Sequence, residues 1–351
     1  MLKRVTYILS LAVVAVALVA CSREDNTPTS VDFSDVITFG TVPTNTSRAA
    51  TLISNSDEES FRAEPFSVYG DWINQNGARV EMFHGVKVSY TTDNKAPTGW
   101  IYDPIQHWQQ IGDYEFRAYW PASSVVLGTA TAKTLALEYN MLQRNDDMMV
   151  AYVHCPTKNN GQPVGLNFHH TLSAVAVKFQ APNAECEYRV KNLFFTSLNY
   201  IGALPYELTD PNPDVTDQWV YADGARSYVN PDNIMASERL REWGSTEGRL
   251  VPASANDYPE EFDLFLPQSL QVESGIAPPS ITFTIDVKWA TVDTITMTVA
   301  LPTTNSAGEP MVWRAGKKYI YVITVQPDKF DIEVRTTEWD EVDASVGDIE
   351  F

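Results

Sequence analysis

Cysteine is scarce in this 351-residue chain: there are three, too few to staple a small disulfide scaffold. Positive charge is scarce as well. Lys and Arg number 25 against 45 Asp and Glu, a formal charge of −20 at pH 7. A surface this negative repels phosphate backbones, which sets nucleic-acid binding aside. Hydrophobic residues reach 44% and charged residues 20%, excluding both a disordered polymer and a multi-span membrane protein. Catalytic signatures are missing too. There is no His-Glu-x-x-His, no Gly-x-Ser-x-Gly and no Gly-rich phosphate cradle. Gly244-Ser245-Thr246-Glu247-Gly248 centres a threonine where a nucleophile elbow needs serine. We expect no enzyme activity, no metal and no cofactor.

What is present points to strands. The chain holds 21 Pro, 17 Gly, 9 Trp, 16 Tyr and 15 Phe, a mixture that suits β-strands joined by punctuated turns. His169 and His170 fall on opposite faces of a strand and cannot chelate one metal from there. His170 shares a face with Phe168 and Leu172 and reads as a hydrogen-bonded core histidine. Asp210, Asp214, Asp217 and Asp223 lie in one loop, but calcium needs about six to eight oxygen ligands and their spacing matches no EF-hand. A solvated acidic loop is the expectation. Two carboxylates about 5–10 Å apart would suffice for glycoside hydrolysis, yet nothing in the pattern singles out a pair. Trp100 and Trp108 could stack on sugars, with core packing as the default.

The N-terminus carries an address. Lys3 and Arg4 precede an apolar run from Ile8 to Ala20, interrupted only by Ser10. The run is shorter than the roughly 20 residues a membrane span needs, so residues 1–20 read as a cleavable signal peptide. Leu18-Val19-Ala20-Cys21 matches the bacterial lipoprotein pattern, in which the cysteine receives lipid. Acyl chains on Cys21 would hold the mature chain on a membrane, at about 0.8 kcal/mol per buried methylene. Ser22-Arg23-Glu24-Asp25-Asn26 resembles the acidic tracts of surface-exported Bacteroidetes lipoproteins, and a plain solvated tether would read the same way. Of the remaining cysteines, Cys155 and Cys186 could form a bridge or stay as free thiols.

Along the mature chain, Val31, Phe33, Ile37 and Phe39 alternate as an isolated strand, followed by the polar linker Thr44–Ala50. Further strands are expected over Phe66–Trp72, Val80–Tyr90, Tyr114–Trp120, Met148–Val153 and Leu166–Gln180, the last with a register change. The second half repeats the style over Tyr188–Leu198, Asp263–Leu266, Ile281–Trp289, Thr294–Leu301, Lys317–Val325 and Phe330–Trp339. A short helix is expected over Ile234–Trp243. The break at Ala181–Glu185 marks a boundary. The organisation is then a tether and first strand over 21–48, a β-sandwich over 49–181 and another over 182–351. Beyond Trp339, Val342, Ala344 and Val346 alternate, Gly347 shifts the phase, and Ile349 and Phe351 follow. This tail over 340–351 is either the last edge strand of its own sandwich or a strand for another molecule.

Together these features resemble the fimbrillins of Bacteroidetes. The resemblance is carried by Leu18–Cys21, by Ile37-Thr38-Phe39, by Ser47-Arg48-Ala49 and by Tyr119-Trp120-Pro121. It extends to Phe168-His169-His170-Thr171-Leu172-Ser173 and to the stretch from Trp313 to Tyr321, whose Trp-x-x-Gly-x-x-Tyr-x-Tyr pattern is its most specific part. The resemblance implies an all-β pilin of two transthyretin-like β-sandwich domains, with a detachable N-terminal strand and a C-terminal strand extension. It also implies a subunit of a protease-assembled fimbrium that supports cell adhesion. Such subunits reach the outer membrane and cell surface as lipoproteins, here through Cys21. An arginine-specific protease then removes the first strand, here Val31, Phe33, Ile37 and Phe39. A donor strand from a neighbouring subunit fills the groove, here with Val342, Ala344, Val346, Ile349 and Phe351. Arg48 fits the processing site best, and Arg62 is the fallback. Stalk, tip and anchor subunits share these folds, and a host or bacterial surface receptor is a further partner. Two other readings stand beside this one: a monomeric surface lipoprotein that binds glycan or host protein, and a β-sandwich hydrolase acting on polysaccharide.

Overall fold

The computed structural model describes residues 35–41, 58–93, 99–109, 111–128, 135–141, 143–144, 146–158, 161–182, 186–206, 209–222, 226–227, 248–272, 274–288, 292–305, 307–326 and 330–338. Cys21, Val31, Phe33, Arg48, Asp223, the expected helix over 234–243 and the tail from Val342 to Phe351 lie outside these residues. The architecture is an all-β sandwich fold built from several sheets.

The chain opens with β1 (Phe39–Thr41) and the short helix α1 (Glu58–Ala63). There follow β2 (Phe66–Ile73), β3 (Arg79–Thr91), β4 (Gly99–Ile101), β5 (Asp113–Trp120), β6 (Val125–Val126) and β7 (Leu135–Asn140). Next come β8 (Met149–Cys155), β9 (Val164–Leu166), β10 (His169–His170), β11 (Ser173–Gln180) and β12 (Glu187–Thr196). The middle adds β13 (Leu198–Asn199), β14 (Ile201–Tyr206), β15 (Val220–Tyr221), β16 (Arg226–Ser227) and β17 (Arg249–Leu250). The last group is β18 (Phe262–Phe265), β19 (Gln268–Ser269), β20 (Ser280–Lys288), β21 (Val292–Ala300), β22 (Val312–Trp313), β23 (Lys317–Val325) and β24 (Phe330–Glu338).

In the first region, antiparallel strands run in the order β10-β8-β5-β2-β3-β4. Alternation decides which core each residue joins. Tyr114, Phe116, Ala118 and Trp120 of β5 enter one apolar cluster, together with Phe66, Val68, Met149 and Ala151. Tyr69, Tyr119, Val150 and Tyr152 point the other way and join a second cluster. One sheet thus serves two cores.

The second region stacks β18-β11-β23-β24 and β17-β12-β20-β21, with β15-β14-β7-β6 alongside. Strand β11 is buried along nearly its whole length, as a central strand flanked by β18 and β23 should be. Strand β12 bulges between Lys191 and Phe194, where Asn192 takes a φ of 51°.

Three pairings cross the boundary expected at Ala181–Glu185. Strand β11 bonds to strands of the second region, and β7 pairs with β14 over six residues. Partners of the second region are thus taken by β7, before β8 and β10 return to the first sheet, and again by β11, ahead of the proline-marked break. The expected Leu166–Gln180 strand resolves into β9, β10 and β11 with different partners.

Candidate functional site

The segment 35–41 lies in a groove of the first region, and its backbone is bonded on both sides. The Ile37 N–H donates to the Gln106 carbonyl (2.9 Å), and the Ile37 carbonyl accepts from the Tyr102 hydroxyl (2.6 Å). Trp108 N–H donates to the Asp35 carbonyl (2.8 Å), and Val164 N–H to the Thr38 carbonyl (2.7 Å). Phe39, Gly40 and Thr41 then run parallel to Val164, Gly165 and Leu166 of β9. These contacts use only the backbone of the segment, so any extended peptide could make them.

Side chains supply the selectivity. Ile37 is fully buried and Phe39 is 4% exposed. The Phe39 ring is caged by Phe83 (5.4 Å between centroids), Tyr102 (5.7 Å), Phe116 (5.7 Å) and Phe66 (6.3 Å). Three of these contacts are edge-on, the arrangement that ring quadrupoles favour. Gly70 makes the cage possible. A Cβ there would stand 2.7 Å from Phe116 Cδ1 and 3.1 Å from Phe83 Cδ2, so only glycine lets both rings lie against the sheet. Burial pushes the Tyr102 hydroxyl up to about 12, which keeps it a protonated donor to Ile37 at any physiological pH. At the rim, Trp100 Nε1 donates to Thr41 Oγ1 (3.3 Å) and Lys158 Nζ lies 3.5 Å from Asp35 Oδ1. Burying Ile37 and Phe39 stabilises the seat by about 1.5–3 kcal/mol each.

The chain re-enters the described region at α1. Phe61 packs on Phe168 (5.2 Å), Trp120 (5.4 Å) and Trp100 (5.6 Å), closing the same cluster. Arg62 sits in the last turn of this helix with its guanidinium 4.1 Å over the Tyr90 ring. Ile37 and Phe39 were singled out by the sequence pattern. Their walls were not: Gly70, Phe83, Tyr102 and Phe116 come from different strands and loops, and the alternation in β5 was the one available hint.

Other candidates resolve into packing. His170 Nδ1 and Asp147 Oδ2 are 2.7 Å apart with both side chains buried, as a hydrogen-bonded core histidine requires. Asp210 and Asp214 accept from the N–H groups of Asn212 and Thr216, capping local turns. Among the described residues no group of three or more His, Cys, Asp or Glu is placed to hold a metal. Cys155 is a buried free thiol, pushed up by that burial, and Cys186 is a half-buried one. Trp108 is buried with its ring 4.6 Å from Tyr114, and Trp100 packs on Phe66 (4.8 Å). No described helix is long and apolar enough to cross a membrane.

The Trp-x-x-Gly-x-x-Tyr-x-Tyr stretch is structural. Trp313 Nε1 donates to the Tyr321 hydroxyl (2.8 Å), and the Tyr319 hydroxyl accepts from Arg314 N–H (2.8 Å) and donates to the Val312 carbonyl (2.9 Å). Gly316, at a φ of 69°, makes the turn between them and donates to the Leu172 carbonyl (2.9 Å). The motif pins β22 and β23 to the start of β11.

A family model described as fimbrillin-like matches residues 47–339. Among solved structures, the chain is similar to a fimbrial protein from Bacteroides vulgatus, with a TM-score of 0.60 and 13% identity over 87% of this chain and 99% of that one. That similarity is one of fold. A candidate cell adhesion protein from Bacteroides uniformis matches with a TM-score of 0.48 and 13% identity over 87% and 99% of the two chains. The tip fimbrial protein Mfa3 from Porphyromonas gingivalis, truncated at its C-terminus, matches with a TM-score of 0.35 and 12% identity over 80% and 96%. No curated protein sequence matches.

Proposed function

This chain belongs to the fimbrillin-like family, and on that premise we propose that it is a fimbrial subunit that polymerises by exchanging its first strand. In this reading the precursor is exported as a lipoprotein on Cys21 and reaches the outer membrane. An arginine-specific protease cuts after Arg48 and releases the segment that contains Ile37 and Phe39. The vacated groove then receives the tail over 340–351 of a neighbouring subunit, and the resulting fibre serves adhesion. The two β-sandwich domains act as scaffold, without catalysis.

One observation carries the reading: two apolar side chains of a short N-terminal strand fill an aromatic groove whose backbone bonds any strand could make. Removing that strand uncovers apolar surface and backbone groups together, a template for strand addition. A tethered strand keeps the monomer soluble until it is cut. Arg48 suits a protease better than Arg62, because an acidic specificity pocket must receive an extended chain with a projecting guanidinium. Arg62 is wound into α1 and covers Tyr90.

The test is brief trypsin treatment of recombinant residues 22–351, followed by intact mass and a gel without boiling. A cut after Arg48 with a heat-sensitive, detergent-resistant ladder is the expected result. Clean cutting without a ladder would point to an anchor, a tip subunit or a monomeric lipoprotein. A chain that resists cutting at Arg48 would overturn the mechanism.

A further inference from the structure

A sheet edge carries unpaired N–H and C=O groups, and short strands, charges and irregular register are what keep another strand from adding there. Among the described residues, the four larger sheets end in eight strands. Six of them, β4, β6, β10, β15, β17 and β18, are two to four residues long. Strand β24 is nine residues long, and four of the nine are charged: Asp331, Glu333, Arg335 and Glu338. The stretch of β3 that β4 leaves open carries Arg79, Glu81 and Lys87, and its register with β2 shifts twice. Strand β21 has none of these guards. It pairs with β20 over nine consecutive residues without a shift, contains no proline, and has Asp293 as its one charge.

The inner face at this edge is unfinished. Ile281, Phe283 and Ile285 of β20 are fully buried, yet their partners on β21 are not: Val299 and Met297 are half-buried, and Ile295 is 44% exposed. On the outer face Thr294, Thr296 and Thr298 are exposed, and Thr298 shares a hydrogen bond with Thr282 across the ladder (3.0 Å). We propose that β21 is a docking edge for β21 of a second copy, the two strands antiparallel about a twofold axis at Thr296.

Symmetry fixes the direction. An axis perpendicular to the sheet continues each face into itself, so Ile295 meets Met297 of the second copy and Thr294 meets Thr298, repeating the hydroxyl contact already made to Thr282. Parallel pairing needs an axis along the strands. That turns one copy over and sets its apolar row beside the other's threonines. Length fixes the register, because an axis at Thr296 pairs all nine residues and any other leaves an end unmatched. Charge agrees in a chain of formal charge −20. Asp293 and its copy then stand six residues apart along the pair, about 20 Å, whereas an axis at Asp293 would set them face to face. A nine-residue strand is about 30 Å long, so the strip buried is at the low end for specific interfaces, where contacts are transient. The edge belongs to a different sheet from the strands behind the Phe39 cage. Pairing therefore does not rest on the strand-exchange reading and occurs in the uncut chain.

The experiment uses uncut residues 22–351 in sedimentation velocity over a concentration series, at moderate salt. A reversible dimer is expected. Thr296→Lys, which sets two ammonium groups across the axis, should weaken it at least about tenfold. Thr336→Lys, on the guarded edge β24, should change it less than about twofold. Lysine lowers the net negative charge, so a general charge effect would strengthen pairing in both. Each variant is first shown to melt like the parent. The register is read by mild oxidation: Thr296→Cys, facing its own copy, should form a disulfide dimer at least about tenfold faster than Thr294→Cys, whose copies stand about 14 Å apart. A parent that stays monomeric up to roughly 1 mM, a dimer indifferent to Thr296→Lys, or equal cross-linking from the two cysteines would each overturn the proposal.

Discussion

Strand β1 pairs with one neighbour over three residues, whereas β23 pairs with β11 over seven and with β24 over nine. Both place large apolar side chains in fully formed cores: Phe39 among four rings, and Tyr321 of β23 against Trp313, which itself packs on Phe265 and Phe195. The difference lies in how the backbone is held. A three-residue ladder with further bonds to the loop over residues 102–108 can be undone without opening the six-stranded sheet. A strand paired on both sides cannot leave unless two ladders break. The same aromatic chemistry therefore accompanies a lightly paired strand in one region and a doubly paired one in the other. This is the division of labour a strand-exchanging subunit needs.

The sharpest way to break the comparison is to weaken the frame. Trp313 is fully buried and donates to the Tyr321 hydroxyl. Trp313→Ala should cost about 4–5 kcal/mol, from a large cavity and a lost buried donor. Thermal unfolding should begin roughly 10 °C lower, both before and after removal of the first strand. The matching change in the groove is Phe39→Ala, expected to cost about 3 kcal/mol in the uncut chain. After cutting, the variant and the parent should unfold identically, because the altered residue has left. A difference that persists after cutting would mean that β1 stays bound and that the two regions are not held in opposite ways.

Much of this architecture could be read from the sequence, for a physical reason. Alternation of period two is a local property, and it located β2, β3, β5, β8, β12, β18, β20, β21, β23 and β24 within a residue or two. Partner choice is not local. Nothing in Leu135–Asn140 announces that it pairs with Ile201–Tyr206, and neither was marked as a strand. The Ala181–Glu185 break was visible, yet Ser173–Gln180 had already changed partners, because proline marks where a strand stops and not which sheet it joined. In the candidate site the guests Ile37 and Phe39 were legible from their isolation by polar flanks. The hosts were not, since Gly70, Phe83, Tyr102 and Phe116 converge only through the fold. The Trp313–Tyr321 stretch was legible as a signature but silent about its role, which is to fasten a turn.

The two free thiols give a milder probe of the same contrast. Cys155 belongs to the apolar cluster that holds Phe39, and its burial raises its pKa, so little thiolate is present near neutral pH. Cys186 packs at the margin of the other cluster. In the uncut chain at pH 8, an aromatic disulfide reagent should label Cys186 first. Once the first strand is removed, Cys155 should react at least about tenfold faster, while the rate at Cys186 stays within about twofold. Equal acceleration of both would mean that cutting loosens the whole molecule and not one groove.

The smallest effect concerns the surface of the frame. The ammonium of Lys191 on β12 holds the carboxyl of Asp286 on β20 below the usual range, with Thr294 donating to the same group at 2.8 Å. A depressed carboxyl pKa stabilises the fold above the unfolded value of about 3.9 and loses that contribution as pH falls through the folded value. Lys191 is partly exposed, so screening keeps the pair under about 1 kcal/mol. Lys191→Met should therefore lower stability by less than that amount at pH 7, and the gap to the parent should close as the pH drops below about 4. Urea unfolding across that range measures it directly. A deficit of several kcal/mol at pH 7 would mean that surface ion pairs, and not the doubly paired β23 with its buried aromatics, make the second region the fixed one.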